Sequence, residues 1–242
     1  MTNRSSSAGK VRPGLAQDFT EIRTRPILAI ETGSRSCSVA LFVGPGNVPA
    51  FLHENTDHGH ATMLMPMIEQ AMARAACNYA DLDRIAVAVG PGSFTGIRVG
   101  LAAALGLSLA SGVPAVGISS FLTVADLEPQ ERQGRRLFAL LDSRREEPFL
   151  VELDGTLGFM QPPAVVTPDA LDEILTSAGP LILAGDAPAM GRYEKQGGIA
   201  LIQASPHALA VARLAADPAR RFDLPPKPVY VRPPDVTMPK AR

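Results

Sequence analysis

Two stretches carry residue types and spacings that chemistry could use. The first is Gly90-Pro91-Gly92-Ser93-Phe94-Thr95-Gly96, a glycine-rich loop with two hydroxyls. It is not a P-loop, because no Gly-Lys-Ser/Thr follows and no lysine is near. Nor is it a G-x-S-x-G nucleophile elbow, since Thr95, not glycine, stands two residues after Ser93. Ser93 and Thr95 both suit the N-cap of a following helix. Arg98, on the first turn of that helix, could meet an acidic partner residue or cap the loop. The second stretch holds His53, His58 and His60. On a helix, His58 and His60 would point to different sides, which fits a helix start better than a metal site. Cys37 and Cys77 make neither a disulfide framework nor a metal cluster and read as small apolar residues. The residues show no nucleophile–base pair and no intact phosphate loop.

The elements that must position these residues are legible. Ile85 to Ser119 reads as strand, glycine turn, helix, short turn, strand: a βαβ unit, hence a parallel sheet covered on both faces. No charged residue occurs between Arg98 and Asp126, and Val99 to Ala110 is apolar or small on every face. Such a helix is expected to be buried on all sides, with one face on the sheet and the other on a second helix or a partner protein. It is short of the roughly 20 residues of a membrane span and is interrupted by glycines. From Ala61 to Ala76, the residues Leu64, Met67, Ile68, Ala71, Met72 and Ala75 form a helical stripe, which Met63 and Met65 widen. That stripe is broader than one sheet face needs, and its methionines make an adaptable surface. Pro66 falls in the first turns, where a missing amide costs little.

The chain has 242 residues, 46% hydrophobic and 19% charged, with a net charge of -1. That leaves ample core and no global attraction to nucleic acid, so a role on RNA would run through a partner. No secretory signal or membrane segment is read, which makes the cytoplasm the expected compartment. Residues 1–25 are polar and aperiodic and are expected to be a disordered extension. Residues 26–128 should form a first lobe, opened by an antiparallel meander of Pro26 to Glu31, Ser36 to Val43 and Val48 to Glu54. After a polar linker, residues 129–223 should form a smaller second lobe. Its strands Leu137 to Leu141 and Pro148 to Leu153 repeat the opening pattern, with Asp142 falling where Glu31 fell. Helices are expected at Pro168 to Ser177 and Pro206 to Ala216, and residues 224–242 should be an extended, proline-rich tail.

The block Gly90 to Gly100, GPGSFTGIRVG, resembles the signature of the bacterial TsaB family, the dimerisation subunit of tRNA threonylcarbamoyladenosine (t6A) biosynthesis. ILAIETGSRSCSVALF, HATMLMPMI and PVYVRPPD extend the resemblance over about residues 26 to 235. The TsaB family is similar to an inactive relative of the TsaD (Gcp-like) proteins. The resemblance implies an α/β, two-lobed actin/hexokinase/Hsp70-like (ASKHA, RNase H-like) fold with a reduced second lobe. In active members of that superfamily an acidic residue ends the first strand and the next turn cradles phosphate through backbone amides; Glu31, Thr32, Gly33 and Ser34 occupy that place. A structural hairpin is the other reading of the same turn. The H-x-x-x-H metal pair of TsaD-like subunits is missing here, and His60 matches the single histidine usual in TsaB relatives.

Carried over, the resemblance implies a non-catalytic subunit that dimerises with TsaD and, with a TsaE-like ATPase, supports threonylcarbamoyl transfer to adenosine-37 of tRNA. No cofactor is implied. The expected partner interface comprises His60, Met63, Leu64, Met67, Ile68, Ala71, Arg98, Leu101 and Leu105. The alternatives are an active ASKHA-type ATPase or phosphotransferase, a glycoprotease-like metallopeptidase, and self-association through the same helix pair. One apolar surface cannot serve two partners at once.

Overall fold

Alternation along the first strands sorts large from small. Leu28 and Ile30 of β1 (Ile27–Glu31), Val39 and Leu41 of β2 (Ser36–Phe42), and Ile85, Val87 and Val89 of β4 (Arg84–Gly90) share one face. Ala29, Ala40, Ala86 and Ala88 line the other. With β3 (Ala50–Asn55) and β5 (Ala115–Ser119) these strands form a five-stranded sheet in the order β3-β2-β1-β4-β5. The first three strands are antiparallel, and β1, β4 and β5 run parallel. The computed structural model describes residues 25–43, 48, 50–126, 134–219 and 221–232. The expected extension 1–25 thus lies outside the described residues apart from Arg25, as do most of the expected linker and the end of the tail.

The large-residue face carries α1 (His60–Arg74) and α2 (Phe94–Ser111). Ser93 is the N-cap of α2, its hydroxyl accepting from the Gly96 amide at 3.2 Å, and Thr95 lies within the helix. Gly112 ends it in the left-handed region at φ 73°.

The second sheet repeats the first. Strands β6 (Arg136–Leu141), β7 (Phe149–Leu153), β8 (Ala164–Val165), β9 (Leu181–Gly185) and β10 (Ile199–Gln203) are ordered β8-β7-β6-β9-β10. Antiparallel and parallel pairings recur in the same places. This is the duplicated, two-lobed actin-like α/β fold. The third strand of the second lobe is only two residues long. Sequence reading did not anticipate β8 or β10: the first is too short to show alternation, and Ile199–Gln203, a five-residue run between Gly197-Gly198 and Ser205-Pro206, shows no clear period-2 alternation.

Between the sheets lie α3 (Ser120–Val124) and α5 (Ala208–Ala215), while α4 (Pro168–Ser177) covers the outer face of the second sheet. The order corrects one expectation. The helix expected with the second lobe packs instead on β1, β2 and β4 of the first. Its Ala208, Ala212 and Ala215 meet the alanine face of that sheet, where small side chains on both sides allow close approach. One continuous apolar core therefore joins the lobes, from Ile27 and Phe42 through Phe121 and Val211 to Leu137 and Ile182.

Candidate functional site

The turn after β1 and the loop before α2 meet where β1 and β4 end. Glu31 is wholly buried. Its side chain folds back into its own turn: Oε1 accepts from the Gly33 amide at 2.6 Å and the Ser34 amide at 2.9 Å, and the Ser34 hydroxyl lies 2.6 Å from Oε2. The two amides that could cradle a phosphate are thus engaged within the chain. Thr32 turns the other way and donates its hydroxyl to the Gly96 carbonyl at 2.8 Å. The Ser93 amide donates to the Gly33 carbonyl at 2.7 Å.

This contact explains the glycines of the 90–96 block. A Cβ on Gly92 would stand 2.6 Å from the Gly33 carbonyl oxygen, and one on Gly96 2.0 Å from that of Thr32. The loop is glycine-rich because backbone packs on backbone. Gly96→Ala is expected to cost about 3 kcal/mol, seen as a lower urea midpoint, because neither backbone can yield cheaply. An unchanged midpoint would mean that the two loops are not packed this way.

The matching turn of the second lobe reaches across. Arg144, at φ 62°, sends Nη1 to Asp57 at 2.6 Å and Nη2 to the Ser34 carbonyl at 2.7 Å. Arg35 donates Nε to Asp142 at 3.0 Å in return. Asp186, just past β9, accepts from the Asp142 amide at 2.9 Å. Burial pushes the Glu31 carboxyl up to about 7, and the bonds from Ser34 and Gly33 offset only part of that. Burial likewise pushes Asp186 up to about 6. A cavity of about 340 Å³ opens beside Asp186, lined by Gly185, Pro188, Met190, Gln203 and Ser205 among others.

His60 is the first residue of α1, buried, with Nε2 3.1 Å from the Ser36 carbonyl; burial holds it below the ordinary histidine range. His58 and His53 are exposed. Among the described residues no three of His, Cys, Asp and Glu are grouped to hold a metal ion. Cys37 is buried and Cys77 half-buried.

The expected partner stripe divides. Leu64, Met67, Ile68, Ala71 and Leu101 point into the first-lobe core beneath α1 and α2, and Met63 is half-buried. Leu105 is 46% exposed. Arg98 is at the surface but engaged: its guanidinium lies 3.7 Å over the Phe94 ring and Nε donates to the Tyr230 hydroxyl at 3.1 Å. Tyr230 stacks on Phe94 at 5.4 Å, pinning the C-terminal segment whose Val229 amide reaches the Val89 carbonyl at 2.8 Å.

The expectation that α2 is buried on all sides is corrected. Gly96, Ile97, Gly100, Leu101 and Ala104 face inward, while Ala102, Leu105, Gly106 and Leu109 are exposed, Leu109 at 90%. Eighteen residues long, α2 has by length and composition the makings of a membrane span, where the sequence reading took it as too short for one. Its inner side belongs to the sheet core. Sequence reasoning found the helix pair and, with Leu105, one residue of its open face, but it did not separate that face from the inward stripe, since both are apolar.

A family model described as TsaD, tRNA N6-adenosine threonylcarbamoyltransferase, matches residues 44–198, well over half of the chain. The chain belongs to the TsaD family. Within that family it is TsaB/YeaZ-like. It is 34% identical over 126 residues to the tRNA threonylcarbamoyladenosine biosynthesis protein TsaB of Escherichia coli, covering 52% of this chain and 54% of that protein. The Haemophilus influenzae protein of the same name is 30% identical over 127 residues, covering 52% and 53%. The chain thus spans about half the length of the curated relatives it matches. The solved structure of YeaZ from Pseudomonas aeruginosa is 28% identical with a TM-score of 0.67, covering 85% of this chain and 99% of that one.

Proposed function

We propose that this TsaB-like chain is a non-catalytic subunit of a tRNA-modifying assembly that forms t6A. It pairs with a TsaD-like catalytic subunit through the outer face of α2 and the neighbouring edge of α1. The observation that carries this is the stripe Ala102, Leu105, Gly106 and Leu109, apolar and open on a helix with no charged residue after Arg98. An apolar stripe of this kind gains from burial against a matching helix. On the neighbouring α1, Met65 is a further exposed apolar side chain, at 38%. A Cβ added at Gly106 would meet nothing within 4 Å, which leaves room for a partner backbone to approach. The names of the relatives support the pathway.

In this reading a TsaE-like ATPase joins the pair in the cytoplasm, and tRNA is met through the complex, in keeping with a net charge of -1. Against an active ATPase stands the engagement of the Gly33 and Ser34 amides by Glu31. The test is size-exclusion chromatography with light scattering on the chain alone and mixed with its cognate TsaD. A one-to-one complex is expected. Absence of any complex, with nucleotide present, overturns the proposal. Self-association of the lone chain through the same stripe would show as a dimer that the partner dissolves.

A further inference from the structure

We propose that an apolar cavity beside residues 221–224 is a binding site for a small aromatic carboxylic acid. The cavity, about 420 Å³, lies between α3, the loop after β7 and residues 221–224, and shares no residue with the turns described above. Leu122, Leu157, Phe159, Phe222 and Leu224 supply its apolar lining, which suits an aromatic body. Ser119 and Arg221 supply polar groups. The Gly117–Leu224 pairing is antiparallel, which brings Ser119 toward Phe222 and so beside Arg221. Ser119 is 3% exposed, yet its hydroxyl neither caps α3 nor finds another partner among the described residues. Arg221 gives Nε to Asp217 at 2.6 Å and lies 4.9 Å over the Phe222 ring, which leaves its terminal nitrogens for a ligand. A buried hydroxyl and a guanidinium at one end of an apolar cavity match a carboxylate on an apolar body.

Both walls are fixed before any ligand arrives. The Asp154 carboxylate accepts from the Thr156 and Gly158 amides at 2.7 and 2.8 Å and from the Thr156 hydroxyl at 2.7 Å. These bonds hold Leu157 at φ 67°, a left-handed conformation unfavourable for a bulky side chain, and seat it in the core. Phe159 meets Phe121 edge-on at 6.1 Å. Opposite, the buried Arg84 guanidinium donates to Asp223 at 3.0 Å, and Leu224 exchanges both backbone hydrogen bonds with Gly117 at 2.8 and 2.9 Å. The Phe159 and Leu224 side chains remain exposed, an apolar rim that a bound aromatic ring would cover. Walls held in this way lose little freedom on binding.

The test titrates hydrocinnamate, its primary amide and acetate into the full chain, followed by calorimetry and thermal melting. Hydrocinnamate should bind saturably and, near ten times its dissociation constant, raise the melting temperature by roughly 3–6 °C. The amide should bind roughly tenfold more weakly, and acetate, which lacks the apolar body, should not bind. Ser119→Ala should weaken hydrocinnamate roughly tenfold with little change in stability, since the hydroxyl it removes is unpaired. Arg221→Gln should bring hydrocinnamate down to the affinity of the amide. Leu224→Trp, which fills the rim with a larger side chain and leaves the backbone pairing to Gly117 intact, should abolish binding. No saturable binding of hydrocinnamate to wild type, equal binding of acid and amide, or binding unchanged by all three substitutions overturns the proposal. Should a variant not fold, wild type decides by nuclear magnetic resonance: the methyl signals of Leu122, Leu157 and Leu224 must shift on titration with hydrocinnamate, and shifts confined to other methyls overturn the proposal.

Discussion

Leu109→Arg is expected to abolish binding to the TsaD-like partner while leaving the melting temperature of the isolated chain nearly unchanged. Leu109 is 90% exposed and contributes almost nothing to the core, so the substitution costs the monomer little. In the complex the same guanidinium would be buried in an apolar seam without a counter-charge. That penalty, about 3–5 kcal/mol, is a loss of two to three or more orders of magnitude in affinity. Leu105→Arg should behave alike, and Gly106→Leu should weaken binding by bulk alone. Met67→Arg and Leu101→Arg are the contrast. Met67 is 8% and Leu101 4% exposed, so these changes should unfold the first lobe and lose binding only as a consequence. Titration calorimetry beside thermal melting separates the two classes. If Leu109→Arg still binds at wild-type affinity, the outer face of α2 is not the interface.

The second large effect concerns pH. The Glu31 carboxyl sits at about 7 in the folded chain against an ordinary 4.5. A folded value above the unfolded one means that stability is fully present below about 4.5 and is lost as the pH rises through about 7. The difference corresponds to roughly 3 kcal/mol. Glu31→Gln removes the titration and keeps the contacts: its carbonyl oxygen accepts from Gly33 and Ser34, and its amide donates to the Ser34 hydroxyl. That hydroxyl can in turn donate to Ser36. The variant should therefore match wild type near pH 5 and exceed it at about pH 8.5, by roughly 6–12 °C in melting temperature. Asp186, at about 6, titrates in both proteins and largely cancels from the comparison. A gap that is equal at both pH values would show that Glu31 does not change charge in this window.

How much was legible beforehand depends on whether the signal was local. An N-cap at Ser93 or Thr95, the apolar strands around Ala29 and Ala86, and the helix at Pro168–Ser177 follow from propensity, capping and periodicity, which act over a few residues. The duplicated sheet order was foreshadowed by Asp142 echoing Glu31, and the 90–96 block identified the family. Three features were settled only by the assembled fold. Every face of α2 is apolar, so composition could not tell core from surface; the placement of α2 on β4 chose Leu101 for the interior and left Leu109 outside. The fate of Glu31 depended on rotamer and burial, since a glutamate at a strand end is as able to reach outward as to fold onto the next two amides. The seating of Ala208–Ala215 on the first sheet depended on alanines from four separate segments meeting at close range. The sequence by itself determined most of the elements, their order and the family; the tertiary structure added the two strands β8 and β10 and decided which apolar face remains open and that the Glu31 side chain fills its own turn, because these depend on groups far apart in the chain competing for the same space.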